Sequence, residues 1–167
     1  MKLKNVGQHT NAIAGKRDGG LVAALLNPIT DSLGCRAFNT SGLTYGSSAP
    51  VKLKVANEVL CSVDGVNALI AAATEVAFTA VTHDVAAGYK NMFALSADSA
   101  GACHIDMGVA SLYVTGIVPP QIPAGRAVMG ICTIDTTNTG FTANTTELSA
   151  ATLTDKYYDV VGPWATK

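Results

Sequence analysis

Three histidines (His9, His83 and His104), twelve acidic residues and four cysteines are the groups through which this chain would do chemistry. His104-Ile-Asp106 is the tightest constellation. Residues two apart on a strand share a face, so this imidazole and carboxylate could hold one metal ion. A zinc site takes three or four ligands, and no third is spaced to join them, so no metal is expected. His83-Asp84 reads as turn chemistry, because Asp bonds its own backbone in turns. Asp98 and Asp106 are the candidate acid pair for glycoside hydrolysis. That reaction needs two carboxylates about 5–10 Å apart, and nothing in the spacing brings these two together. Gly7 to Gly15-Lys16 is only superficially a phosphate loop: the spacing is wrong, Arg17 stands where a magnesium-binding hydroxyl belongs, and no strand precedes it. Gly-x-Ser-x-Gly and Ser-x-x-Lys do not occur. The expectation is therefore no catalytic residue and no cofactor. Cys35, Cys61, Cys103 and Cys132 are widely spaced without a Cys-x-x-Cys pair, which argues against zinc and thioredoxin-type motifs. They are expected to be buried free thiols acting as small hydrophobes.

The composition turns attention from catalysis to contact. Of the 167 residues 49% are hydrophobic and only 14% charged, against roughly 25% charged in an ordinary soluble domain. Thr, Ser, Ala, Asn and Gly take the place of charge. A surface so thinly charged is poorly defended against association, which points to a surface covered in an assembly. The net charge of −1 argues against a general nucleic-acid binder, which carries a basic excess. Lys2, Lys4, Lys16 and Arg17 make only a mildly basic N-terminus. No signal peptide is visible, since no apolar core follows Met1-Lys-Leu-Lys4. The run Leu21 to Leu26 is far too short to span a bilayer. The expectation is a protein made and folded in the cytoplasm, without a membrane partner. The glycosylation patterns at Asn39-Thr-Ser41 and Asn144-Thr-Thr146 are then accidental.

The elements that would position these residues are mostly strands. Residues 1–34 lack a sustained period and read as an extended arm with an apolar anchor, Leu21 to Leu26, ended by Asn27-Pro28. Residues 35–167 read as a single β domain. Cys35 to Asn39 forms a short strand. Val51-Lys-Leu-Lys-Val55 alternates strictly, with Val51, Leu53 and Val55 inward. Asp64-Gly65 between Glu58–Val63 and Val66–Ile70 predicts a two-residue type I′ hairpin. Thr74 to Val81 is β-branched and aromatic enough for another strand. Tyr89 to Ser96, with Tyr89, Asn91, Phe93 and Leu95 on one side, turns at Ala97 to Gly101 and pairs with Cys103 to Met107. Pro119-Pro120 and Pro123 break any ladder and mark a crossing between sheet regions. Ala127 to Ile134 is apolar on both faces, as for a strand covered on two sides. Asp135 to Gly140 is a turn, Thr145 or Thr146 caps one helical turn through Ala151, and Thr154 to Val161 is the last strand. Trp164, the only tryptophan, is expected to close the core. Short strands with regular turn signals predict an all-β fold, a β-sandwich or jelly-roll-like barrel with an extended N-terminal arm.

One stretch resembles a family. Pro123-Ala-Gly-Arg-Ala-Val-Met-Gly-Ile131, then Gly140-Phe-Thr142, Thr145-Thr-Glu-Leu148 and a Tyr-containing final strand, is similar to small virion structural proteins of tailed bacteriophages. Those carry a Pro-Ala-Gly-Lys-Ala-like opening, a Gly-rich strand and a Phe-Thr-Gly-Gly-Thr-Thr-like turn. Here Arg126 replaces the lysine, and Ala143-Asn144 replaces the glycine pair. The likeness runs from Cys35 to Gly162 in pattern. It resembles head decoration (cement) proteins, and implies a homotrimer bound to the major capsid protein on the outer surface of the virion, with no enzymatic activity. The shell contact is expected in the arm, at Lys2, Lys4, Lys16, Arg17, Leu21, Val22, Leu25 and Leu26. The first rival is a tail, baseplate or fibre component that binds host-surface carbohydrate, with Tyr45 and Tyr113 as loop aromatics. The second is a small carbohydrate hydrolase, which would need converging acids.

Overall fold

The computed structural model describes residues 34–46, 51–113, 116–150 and 153–163. The expected arm lies outside these residues except for Gly34, and so does Trp164. Among the described residues the chain forms eleven strands in order: β1 (Arg36–Ala37), β2 (Thr44–Tyr45), β3 (Lys52–Lys54), β4 (Val59–Val63), β5 (Val66–Ile70), β6 (Glu75–Ala77), β7 (Lys90–Asp98), β8 (Cys103–Met107), β9 (Arg126–Thr136), β10 (Leu153–Asp159) and β11 (Gly162–Pro163). They make three antiparallel sheets, ordered β11-β1-β4-β5, β10-β9-β7-β8 and β2-β3-β6. Among the described residues each sheet keeps two edges, so the barrel alternative is not what forms. The physical reason is strand length: β1, β2 and β11 have two residues each, too few to carry a closed ladder.

Local sequence explains most of these elements. In β3 the alternation holds: Val51, Leu53 and Val55 are buried, while Lys52 and Lys54 are half-buried. Lys52 Nζ pairs with Glu75 Oε2 of β6 at 3.1 Å. The β4–β5 hairpin turns at Asp64 (φ 50°) and Gly65 (φ 81°), with Val63 opposite Val66. Positive φ at both positions is the type I′ geometry that suits the right-handed twist of the strands. The strand expected over Thr74–Val81 stops at Ala77, because a turn at residues 79–83 takes Val81 to φ 66°, outside the strand region.

The long sheet carries the centre of the molecule. In β9, Ala127 through Cys132 are all buried, as a strand covered on both faces requires. The register slips between Leu95 and Ser96, whose partners are Gly130 and Val128, so Met129 is the extra residue of a bulge in β9. Both β8 and β9 run antiparallel to β7 and hence parallel to one another. Their connection, residues 108–125, must cross a face of the sheet. It holds the prolines expected at a crossing between sheet regions, but it joins two strands of one sheet.

Two expectations change. Tyr89 precedes β7 and is exposed, while Asn91, Phe93 and Leu95 are buried. The helical turn expected from Thr145 is a tight turn instead. The Thr142 carbonyl accepts from the N–H groups of Thr145 and Thr146 (3.1 and 2.9 Å), and Thr146 Oγ1 accepts from the Thr142 N–H at 3.0 Å. Asn144 takes φ 64° inside this turn, and farther on the Ala150 N–H bonds the Glu147 carbonyl at 3.0 Å as a separate turn, so the bonds do not propagate into a helix. One core joins the sheets: Leu53, Val59, Phe78, Phe93, Met129 and Phe141 belong to a single buried cluster. β1 and β4 pack on β9, and β5 on β7.

Candidate functional site

His104 and Asp106 lie where the sequence placed them, on one face of β8, and each binds a residue of a neighbouring strand. Antiparallel pairing sets His104 opposite Ser96 and Asp106 opposite Ala94. Next to them Asp98 stands opposite Arg126 of β9. His104 Nε2 lies 3.1 Å from Asp98 Oδ2. Asp106 Oδ1 accepts from Arg126 Nη1 at 2.9 Å, and its Oδ2 accepts from Ser96 Oγ at 2.7 Å. Asp98 Oδ1 accepts from the N–H groups of Ala100 and Ala102 (2.9 and 3.0 Å) and so closes the β7–β8 turn. The hydrogen bond from His104, with the Ala102 and Ala100 amides, holds the Asp98 carboxyl below its ordinary value.

This network fastens strands together. Ser96, the nearest hydroxyl, bonds to Asp106 while the imidazole bonds to Asp98, so no nucleophile–base hydrogen bond forms between Ser96 and His104. Among the described residues no three His, Cys, Asp or Glu side chains gather around a point where a metal ion would sit. His83 is buried, with Nδ1 accepting from the Thr79 N–H at 2.8 Å and its ring edge-on to Phe78 and Phe93 at 5.9 and 6.0 Å. Burial pushes its pKa down, against the pull of Asp106 and Asp84. His9 lies outside the described residues. All of the cysteines are free. Cys61 and Cys132 are buried as expected, and burial raises both, Cys61 to about 11. Cys35 and Cys103 are only half-buried, because both flank turns: Cys35 precedes the short β1 and Cys103 opens β8 after Gly101.

Two surface features were not read from the sequence. Farther along the same face of the long sheet is a cleft of about 290 Å³. Lys90, Met92, Thr133, Asp135, Lys156 and Tyr158 line it, with Thr154 and Ile117 at its sides. Lys90 Nζ pairs with Asp135 Oδ2 at 2.6 Å. Thr154, Lys156 and Tyr158 reach one face by the two-residue alternation of β10, a signal present in the sequence. Ile117 comes from the crossing connection, which therefore runs over this face. Tyr45 and Tyr113 are both exposed. Tyr45 belongs to β2, opposite Leu53, rather than to a loop.

The second feature is an apolar row on the outer face of the β11-β1-β4-β5 sheet. Phe38, Leu60 and Leu69 are 41%, 39% and 60% exposed. Leu60 stands opposite Leu69, and its carbonyl accepts from the Phe38 N–H at 2.9 Å, so the three side chains cross adjacent chains in one line. Beside them the Arg36 guanidinium lies 4.5 Å from the centre of the Phe38 ring. Sequence alternation marks Leu60 and Leu69 as outward, but only the register aligns them.

Comparison with protein-family models, with curated proteins and with solved structures returned no match.

Proposed function

We propose that this chain is a virion structural protein of a tailed bacteriophage: a head decoration protein that self-associates and stabilises the shell by binding the major capsid protein. The carrying observation is the exposed row Phe38–Leu60–Leu69 on a chain with only 14% charged residues. Exposed apolar residues aligned across strands favour contact with other protein. The two four-stranded sheets meeting across one core support a sandwich as the finer description of the fold. Such a body would need no catalytic group. Binding only the assembled shell would stabilise it by mass action. The arm, with Lys2, Lys4, Lys16, Arg17 and Leu21 to Leu26, is assigned to the shell contact, the body to self-association. The protein would be made in the host cytoplasm and carried on the outside of the capsid.

The test is to add purified protein to capsids stripped of accessory proteins. Co-sedimentation, with a rise in the temperature at which the shells rupture, is the expected outcome. Binding to purified tails and not to heads would overturn the reading. It would favour the alternative, a tail, baseplate or fibre module that holds carbohydrate. The cleft beside Tyr158 is the observation behind that alternative, since an aromatic ring with flanking hydroxyl, ammonium and carboxylate groups suits a sugar. Glycan binding that Tyr158→Ala abolishes would support it.

A further inference from the structure

An open sheet leaves rows of unpaired N–H and C=O groups at its edges, and a flat, uncharged edge templates further pairing. Among the described residues five of the six sheet edges are guarded. β10 carries Asp155, Lys156 and Asp159, β8 carries His104 and Asp106, and β6 carries Glu75. β2 and β11 are only two residues long, and β11 ends in Pro163. The sixth, β5, is Val66-Asn-Ala-Leu-Ile70: five residues with no charge, no proline and no bulge.

The direction of its backbone groups follows from the hairpin. The Leu60 carbonyl accepts from Phe38 and the Leu60 N–H donates to Asn39 Oδ1, each at 2.9 Å. Leu60 thus faces β1, and its neighbours Val59 and Cys61 face β5. The two-residue turn makes Val63 and Val66 a hydrogen-bonded pair, as are Cys61 with Ala68 and Val59 with Ile70 by alternation. Asn67 and Leu69 therefore direct N–H and C=O away from β4. Among the described residues no backbone group bonds to them. The β7–β8 turn comes near this edge: a Cβ on Gly101 would stand 3.9 Å from the Leu69 carbonyl oxygen and 3.7 Å from Ile70 Cδ1.

We propose that β5 pairs antiparallel with β5 of a second copy of this chain, across a dyad at Ala68. The strand fixes its own register. Asn67 falls opposite the partner's Leu69, and Leu69 opposite the partner's Asn67, so every outward N–H and C=O of the two strands finds a partner. Val66 meets the partner's Ile70. Asp64 falls opposite the partner's Ala72, so no like charges face each other. On the outer face the two Leu69 side chains become diagonal neighbours, within reach of each other at about 7–8 Å. The apolar row Phe38–Leu60–Leu69 then continues into its copy, and the two sheets become one. A dyad contact is isologous and gives an even-numbered assembly. This departs from the trimer that the family resemblance implies, unless trimers pair into hexamers. The pairing shares with the proposed function only the self-association, and it is tested without any capsid.

The experiment is solution mass by light scattering across a concentration series, on the wild type and three variants whose folding is checked by circular dichroism. Leu69→Lys sets two ammonium groups across the dyad. Asn67→Pro removes only an outward donor and no bond to β4. Val109→Lys places the same charge on an exposed apolar residue of the crossing connection, outside the row. The expected result is a wild-type dimer weakened at least about tenfold by Leu69→Lys and Asn67→Pro and retained by Val109→Lys. Hydrogen exchange on the wild type reads the same contact without mutation, with the Asn67 and Leu69 amides gaining protection as concentration rises. A wild type that stays monomeric throughout overturns the proposal. So does loss of the dimer in Val109→Lys as complete as in Leu69→Lys, or an oligomer whose Asn67 and Leu69 amides exchange freely.

Discussion

Phe141→Ala removes a ring that is 1% exposed and lies edge-on to Phe78 at 5.2 Å and to Phe93 at 6.4 Å. Truncating a buried phenylalanine costs about 3–5 kcal/mol through lost transfer energy and the cavity left behind. Edge-to-face contacts contribute about 0.5–1.5 kcal/mol each beyond area, and the Phe93 contact is near the outer limit of that range. The cavity should persist. The Phe141 backbone exchanges two 2.8 Å hydrogen bonds with Val85, which hold the chain in place when the ring is gone. The expected loss therefore lies in the upper part of that range, about 4–5 kcal/mol, a large share of the ~5–15 kcal/mol that holds a domain folded. Urea denaturation followed by circular dichroism measures it. With a slope near 2 kcal/mol per molar, the midpoint falls by about 2–3 M. Phe141 also belongs to the Gly140-Phe-Thr142 motif that carries the family resemblance, so the experiment separates two roles. A loss below about 2 kcal/mol together with lost shell binding would refute the packing argument and place this ring at a contact.

Acid should weaken the fold through His83. Its pKa is lowered in the folded protein, chiefly by burial, so the unfolded chain binds the proton more readily. Its contribution is present above the ordinary value of 6.5 and is lost as pH falls through 6.5 toward the lower folded value. Melting temperatures measured over this range should drop toward acid in the wild type and less so in His83→Asn, whose amide oxygen can keep the Thr79 bond; equal slopes in both would refute it. The Asp98 carboxyl, held low by His104, adds its own loss only below 3.8. Gly130→Ala should lower the melting temperature by several degrees, because the new Cβ would meet Leu43 Cδ2 at 2.8 Å and the Tyr158 carbonyl oxygen at 3.1 Å. Such overpacking costs about 1–3 kcal/mol, and an unchanged melting temperature would show that β10 yields.

Features legible in the sequence are those whose cause lies within a few residues. Asp64-Gly65 supplies positive φ where a type I′ turn needs it, so the β4–β5 hairpin and its register follow from the turn. Val51, Leu53 and Val55 alternate with lysines, and β3 buries that face. The apolar run from Ala127 says that β9 is covered on both sides, without saying by what. The helical turn at Thr145 failed because Thr145 and Thr146 donate back to the Thr142 carbonyl, so the turn falls before them rather than after, a choice that a capping signal does not fix. The strand at Thr74 ended early because the chain turns to bring His83 against Phe78 and Phe93.

The sequence by itself determined an all-β chain, its main hairpins and the inward faces of β3 and β7, because periodicity and turn chemistry act over neighbouring residues. Only the tertiary structure decided the rest. It gave His104 a hydrogen bond to Asp98 and Asp106 an ion pair with Arg126, because Asp98 and Arg126 meet them across strands. It aligned Phe38, Leu60 and Leu69 in one exposed row, brought Lys90, Lys156 and Tyr158 to one cleft, and left β5 as the unguarded edge. Each depends on which strands become neighbours and in what register. That is set by core packing among residues far apart in the chain, where local pattern carries no information.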